Sequence, residues 1–222
     1  MDWTALTLSL RLGLFTCLVL LPVGILLGRT LAWSRFRLRG FAEALLALPL
    51  VLPPTVVGYY LLVAFGAASP AGQIYERLFG TTLVFTFEGL LVASVIVNLP
   101  FAVQPMQRAF EAIPREVREA AACSGMPPLA VLRRIELPLA WPGIVTGMAM
   151  SFAHTLGEFG VVLMVGGSLP GETRTVAIAI YDRVQAFDER SAGLMSAFLL
   201  ATSLAALGLT YALSSRVGRR GG

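Results

Sequence analysis

Five apolar runs, each as long as a bilayer is thick, dominate this chain and leave few folds open to it. They are Leu6–Leu31, Ala42–Phe65, Leu83–Met106, Pro142–Val165 and Leu194–Leu213. About 20 predominantly apolar residues in a helix cross the hydrocarbon core, where every backbone polar group must be satisfied within its own segment. Hydrophobic residues make up 56% of the 222, mean hydropathy is +0.77, and the 14% that are charged bunch between the runs. The expected fold class is an all-α integral membrane protein of one domain, residues 1–222, with five spans. The mixed segment 166–191 has a partly apolar middle, so a sixth span or a re-entrant helix near Val176–Val184 stays open. The polar segment 66–82 is expected to hold a short interfacial helix. Asp2 in place of a basic leader, with arginines after the first run, reads as a retained span rather than a cleaved signal.

All 17 basic residues are arginine. A P-loop needs a lysine on the nucleotide phosphates and Schiff-base chemistry needs a lysine amine, so neither belongs to this chain. Twelve of the arginines fall in segments 29–39, 108–134 and 216–220, which five alternating spans place on one side. Positive charge marks the cytoplasmic side, giving an outer N-terminus and a cytoplasmic C-terminus. The net charge of +4 is therefore a topology signal, with the last arginines able to touch anionic lipid, and not a nucleic-acid footprint. Cys17 and Cys123 lie at different depths and no metal-ligand spacing occurs, so no disulfide, metal or cofactor is expected.

Between the third and fourth runs lies a polar island within residues 107–141. Glu111, Arg115, Glu116, Arg118 and Glu119 suit a solvated helix with charge pairs three and four apart. Gly125 ends that helix, Pro127 and Pro128 open a second, Arg133, Arg134 and Glu136 close it, and Pro138 and Pro142 lead back into apolar sequence. Two short helices meeting at a bend are a docking shape rather than a catalytic one. The spaced pattern Glu119-Ala120-Ala121, three residues, Gly125, nine residues, Ile135, one residue, Leu137-Pro138 resembles the EAA loop of bacterial ABC importer permeases. The stretches LPLVLPPTVVGYYLL (48–62), HTLGEFG (154–160) and LPGETRT (169–175) are similar to the permeases of molybdate ABC importers. Sulfate permeases carry relatives of the first two. The resemblance implies a type I importer permease fold and a homodimer in the bacterial cytoplasmic membrane. It also implies separate ATPase subunits seated on the loop, and a periplasmic or lipid-anchored oxyanion-binding protein. Tungstate or sulfate is the alternative cargo. An integral-membrane enzyme would call for clustered acids and histidines, and a channel would leave the polar island without a task.

At membrane depth, His154 and Glu158 stand four apart on one helical face, either as a gating pair or as a lock on helix packing. A carboxylate facing an oxyanion would repel it, which favours packing for Glu158. Ser94, Asn98, Thr146, Ser151 and Thr155 are candidate hydrogen-bond donors along a translocation path, against the ordinary role of such residues as glue between helices. Arg174 is the outer-face candidate, for steering an anion or meeting the binding protein, with a local pair to Glu172 as the plainer reading.

Overall fold

The computed structural model describes residues 2–34 and 36–218, with side chains throughout except at residues 122, 207 and 209–218. Arg35, Arg219 and Arg220 lie outside the described residues, as does the side chain of Arg216. All regular structure among the described residues is helical. Helix α1, Trp3–Trp33, begins where the Asp2 carboxylate accepts the Ala5 N–H at 3.0 Å. Helices α2, Arg39–Val51, and α3, Pro54–Phe65, together cover the second apolar run, bent by 111° between them. The bend follows from Pro53–Pro54: neither donates an N–H, and each forces the residue before it out of the helical region, so Leu52 sits at ψ 143° and Pro53 at ψ 135°.

Helix α4, Pro70–Phe79, is the expected short helix of the 66–82 segment. It is capped by Ser69 and leaves Ile74, Leu78 and Phe79 exposed. Helix α5, Phe87–Glu111, is central, burying Leu90, Ala93, Val97, Ala102, Val103, Met106 and Phe110. Then come α6, Arg115–Cys123; α7, Pro128–Val131; a π-helical turn, Leu132–Glu136; and α8, Leu137–Gly157. Helix α9, Gly160–Gly166, continues α8 after a 62° bend. Helix α10, Val176–Gln185, packs Val176 and Ala179 against Ala5 and Leu6 of α1 and against Met195 of α11, Glu189–Gly218.

By length and composition α1 and α5 can each cross a membrane, and the two bent pairs raise the number to four. The 30 residues of α11 add a helix about 45 Å long, so all five apolar runs are helical over most of their length, the second and fourth in two bent pieces. The 10 residues of α10 extend only about 15 Å, half the hydrocarbon core. The apolar middle of segment 166–191 is thus a short helix buried against α1 and α11.

Small residues let α5 sit between α1 and α8. A methyl group added to Gly28 of α1 would lie 3.0 Å from the Gln107 backbone nitrogen, and one on Gly147 of α8 would lie 2.8 Å from the Ala102 carbonyl oxygen. Backbone-to-backbone approach through small residues four apart (Gly24 and Gly28, Gly143 and Gly147) is how apolar helices associate without a hydrophobic driving force. Gly147→Val should therefore force α8 off α5. A melting temperature lower by about 3–10 °C in detergent is the expected reading.

Candidate functional site

The polar island becomes one short helix, α6, meeting a second at a left-handed turn. That second helix does not close at Glu136 as expected, because α7, the π turn and α8 run on without a break over Pro128–Gly157. On α6, Arg115 Nε donates to Glu119 Oε1 at 2.7 Å, with 79% and 61% of the two side chains exposed. A pair so open to water contributes about 0–1 kcal/mol, so Glu119 is held loosely and stays open to solvent. Ala120 is exposed and Ala121 buried. The Ala121 carbonyl accepts the Met126 N–H at 3.3 Å, and Gly125 has φ +72°. This is a Schellman ending, with Ala121 at the third position from the helix end and glycine at the left-handed one. The spacing Ala121, three residues, Gly125 is thus the spacing this cap demands. Pro127 is extended and Pro128 opens α7. Ile135 lies half-buried in the π turn, Leu137 half-buried at the start of α8, and Pro138 exposed in its first turn.

Between Ile135 and Leu137 stands Glu136, which the sequence suggested only as part of a helix end and to which it assigned no partner. The Glu136 side chain is 1% exposed, and three elements meet on it. From α1, Arg29 Nε donates to Oε2 at 2.6 Å and Nη2 to Oε1 at 3.3 Å. From α6, Arg118 Nε lies 3.6 Å from Oε1. The Arg118 guanidinium lies 3.6 Å above the Trp33 ring, and that ring meets Phe110 edge-on at 5.5 Å. An unpaired carboxylate here would cost several kcal/mol in desolvation, and the two arginines offset that. The one sequence signal was an acid beside the leucines and proline that open a span, which calls for a basic partner. Nearby, Arg39 donates to Glu43 at 2.9 Å and Glu111 at 2.7 Å, tying α2 to α5.

Asn98 of α5 brings Thr155 and His154 of α8 together, whereas Thr146 bonds within its own helix. Asn98 Nδ2 donates to the Ser94 carbonyl at 2.8 Å and to Thr155 Oγ1 at 3.1 Å, and Asn98 Oδ1 lies 3.1 Å from His154 Nδ1. Thr155 donates back to the Ser151 carbonyl and Thr146 to that of Pro142, each at 2.8 Å. Ser94, Asn98, Ser151 and Thr155 are buried, and the hydroxyls of Ser94 and Ser151 have no hydrogen-bond partner. The His154 ring stacks on Phe101 with centroids 4.2 Å apart, its Nε2 3.6 Å from Glu158. Glu158 sits at the break between α8 and α9, and its Oε1 accepts the Val161 N–H at 2.9 Å, capping α9. Asn98→Ala is expected to cost about 1 kcal/mol and lower the melting temperature by about 2–4 °C, because Thr155 and His154 each lose a partner.

At the opposite end from Glu136, Arg174 Nε lies 3.1 Å from Asp182 and its Nη1 3.9 Å from Asp2. The ion pairs described for Arg174 thus bind α1 to α10; the neighbouring Glu172, the plainer expected partner, is not among them. Among the described residues no group of three His, Cys, Asp or Glu could hold a metal ion.

Comparison with known proteins places this geometry in a family. A molybdenum transport system permease protein of Azotobacter vinelandii is 50% identical over 187 residues, 84% of this chain and 83% of that protein. One of Escherichia coli K12 is 36% identical over 184 residues, 83% of this chain and 80% of that protein. A sulfate transport system permease protein of Salmonella typhimurium is 34% identical over 197 residues, 89% of this chain and 71% of that protein. Among solved structures, a bacterial alginate ABC transporter in complex with a periplasmic protein superposes with a TM-score of 0.76 at 18% identity, over 96% of this chain and 78% of that one. That likeness gives the fold, that of type I ABC importer permeases. Residues 21–219 match the family described as binding-protein-dependent transport system inner membrane component, and the chain belongs to that family.

Proposed function

We propose that the chain is the membrane-spanning subunit of an ATP-driven importer of molybdate. The observation that carries this reading is α6–α7, with Glu119 exposed on one arm and Gly125 at the turn, a solvated handle on an apolar bundle. The Azotobacter relative supports molybdate as the cargo, and a sulfate permease is the second reading, supported by the Salmonella relative. The chain is a transport subunit and not an enzyme. Its lack of lysine assigns ATP hydrolysis to a separate subunit.

The working assembly is two copies of the chain, two ATPase subunits on the cytoplasmic side and a binding protein outside, with α6–α7 in the cytoplasm and the N-terminus outside. The arginine distribution supports that orientation. Energy input is required: moving a divalent anion inward against about 100 mV costs roughly 5 kcal/mol, and each tenfold of accumulation adds about 1.4 kcal/mol. Closure of the ATPase subunits moves α6–α7, and the bundle switches from inward- to outward-facing; release of hydrolysis products reverses the switch.

Proteoliposomes holding the permease, its ATPase and its binding protein test this. Radioactive molybdate is expected to accumulate only with all three and ATP, and excess sulfate to compete weakly. Accumulation without the ATPase subunit would contradict the reading, and equal competition by sulfate would favour the second one.

A further inference from the structure

We propose that the Glu136 carboxylate, shared between Arg29 and Arg118, is the joint through which movement of α6 reaches α1. The proposal rests on the coupling role given to α6 above and assigns what that role leaves open, the path from α6 into the bundle. On α6 the exposed pair Arg115–Glu119 faces solvent, while Arg118 turns inward, its guanidinium 3.6 Å above Trp33 of α1. Glu136 stands on the other arm of the handle, so both arms and α1 meet at one carboxylate.

The two halves of the joint differ. Arg29 grips Glu136 with two hydrogen bonds, at 2.6 and 3.3 Å. Arg118 stands at 3.6 Å, beyond hydrogen-bond length, and its buried Nε has no hydrogen-bond partner. The Arg118 contact therefore opens without stranding a bare carboxylate, because Arg29 stays. A buried pair of this kind adds little stability over apolar packing, and its value lies in fixing one geometry against another. From Arg29, α1 runs back unbroken over 27 residues, about 40 Å, to Asp2, which pairs with Arg174 at the far end. One helix thus connects the handle to the loop that precedes α10.

The test is made in the complete complex of permease, ATPase and loaded binding protein, in vesicles with radioactive molybdate, reading ATP hydrolysed per molybdate taken up. A loss of folded protein lowers both rates together and leaves this ratio unmoved; a failed joint raises it. Arg118→Gln keeps Glu136 paired with Arg29 and is expected to raise the ratio at least about five-fold, with Arg118→Lys in between. Arg118→Gln in the Glu136→Gln background is expected to add little, since the contact it would break is already gone. A wild-type ratio in Arg118→Gln, or fully additive effects in the double variant, would overturn the joint while leaving the importer reading intact. A wild-type complex that shows no coupling would overturn both.

Discussion

With Gly125 replaced by valine, the protein is expected to reach the membrane in normal amounts and to lose ATP-driven molybdate uptake by roughly ten-fold or more. Gly125 has φ +72°, and a methyl group added there would meet nothing within 4 Å. The penalty is therefore one of backbone conformation and not of crowding. A β-branched residue in the left-handed region is strained by about 1–3 kcal/mol, close to what one helix cap contributes. The chain relieves that strain by unwinding the end of α6, where the Ala121 carbonyl accepts from Met126. The angle between α6 and α7 is then lost, and with it the proposed fit to the ATPase. Asparagine tolerates the left-handed region, so Gly125→Asn should keep most of the uptake. Transport assays in vesicles, normalised to inserted protein, separate the two variants.

Glu119→Ala is expected to leave the fold untouched and weaken the ATPase complex. In the isolated chain Glu119 has one exposed partner, Arg115, and losing a surface pair costs about 0–1 kcal/mol. Buried under a partner, the same carboxylate is desolvated, and truncating one side of such a pair costs about 2 kcal/mol or more, a fall in affinity of at least about 30-fold. Titrating the ATPase subunit onto permease in lipid nanodiscs measures this directly. An unchanged melting temperature with weakened binding is the expected combination; unchanged affinity would remove Glu119 from the docking surface.

What the sequence discloses here is what local chemistry decides. The apolar runs mark the helical passes because their length alone is the signal. The handle is legible because a helix cap, a glycine and a proline pair are short-range devices, each settled within six residues. The breaks are less so. Pro53 and Pro54 announce an interruption, but its 111° depends on how α3 packs against α9. The break after Gly157 contains no proline, and its carboxylate cap from Glu158 becomes visible only in three dimensions. Glu136 escapes for a similar reason, as its firm partner Arg29 lies 107 residues away in the chain. Arg174 shows the same limit: its neighbour Glu172 is adjacent in sequence, whereas its described partners, Asp2 and Asp182, are brought to it by packing of α1 and α10.

Cys123 offers the most direct measurement of which way the handle points. It is exposed on α6, two residues before Gly125, and Cys17→Ser leaves it as the single thiol. A membrane-impermeant maleimide is expected to modify Cys123 in inverted vesicles and not in intact spheroplasts, and bound ATPase subunit should slow the reaction. Modification from outside intact spheroplasts would contradict a cytoplasmic handle, and with it the transmission of ATP-driven motion into this bundle.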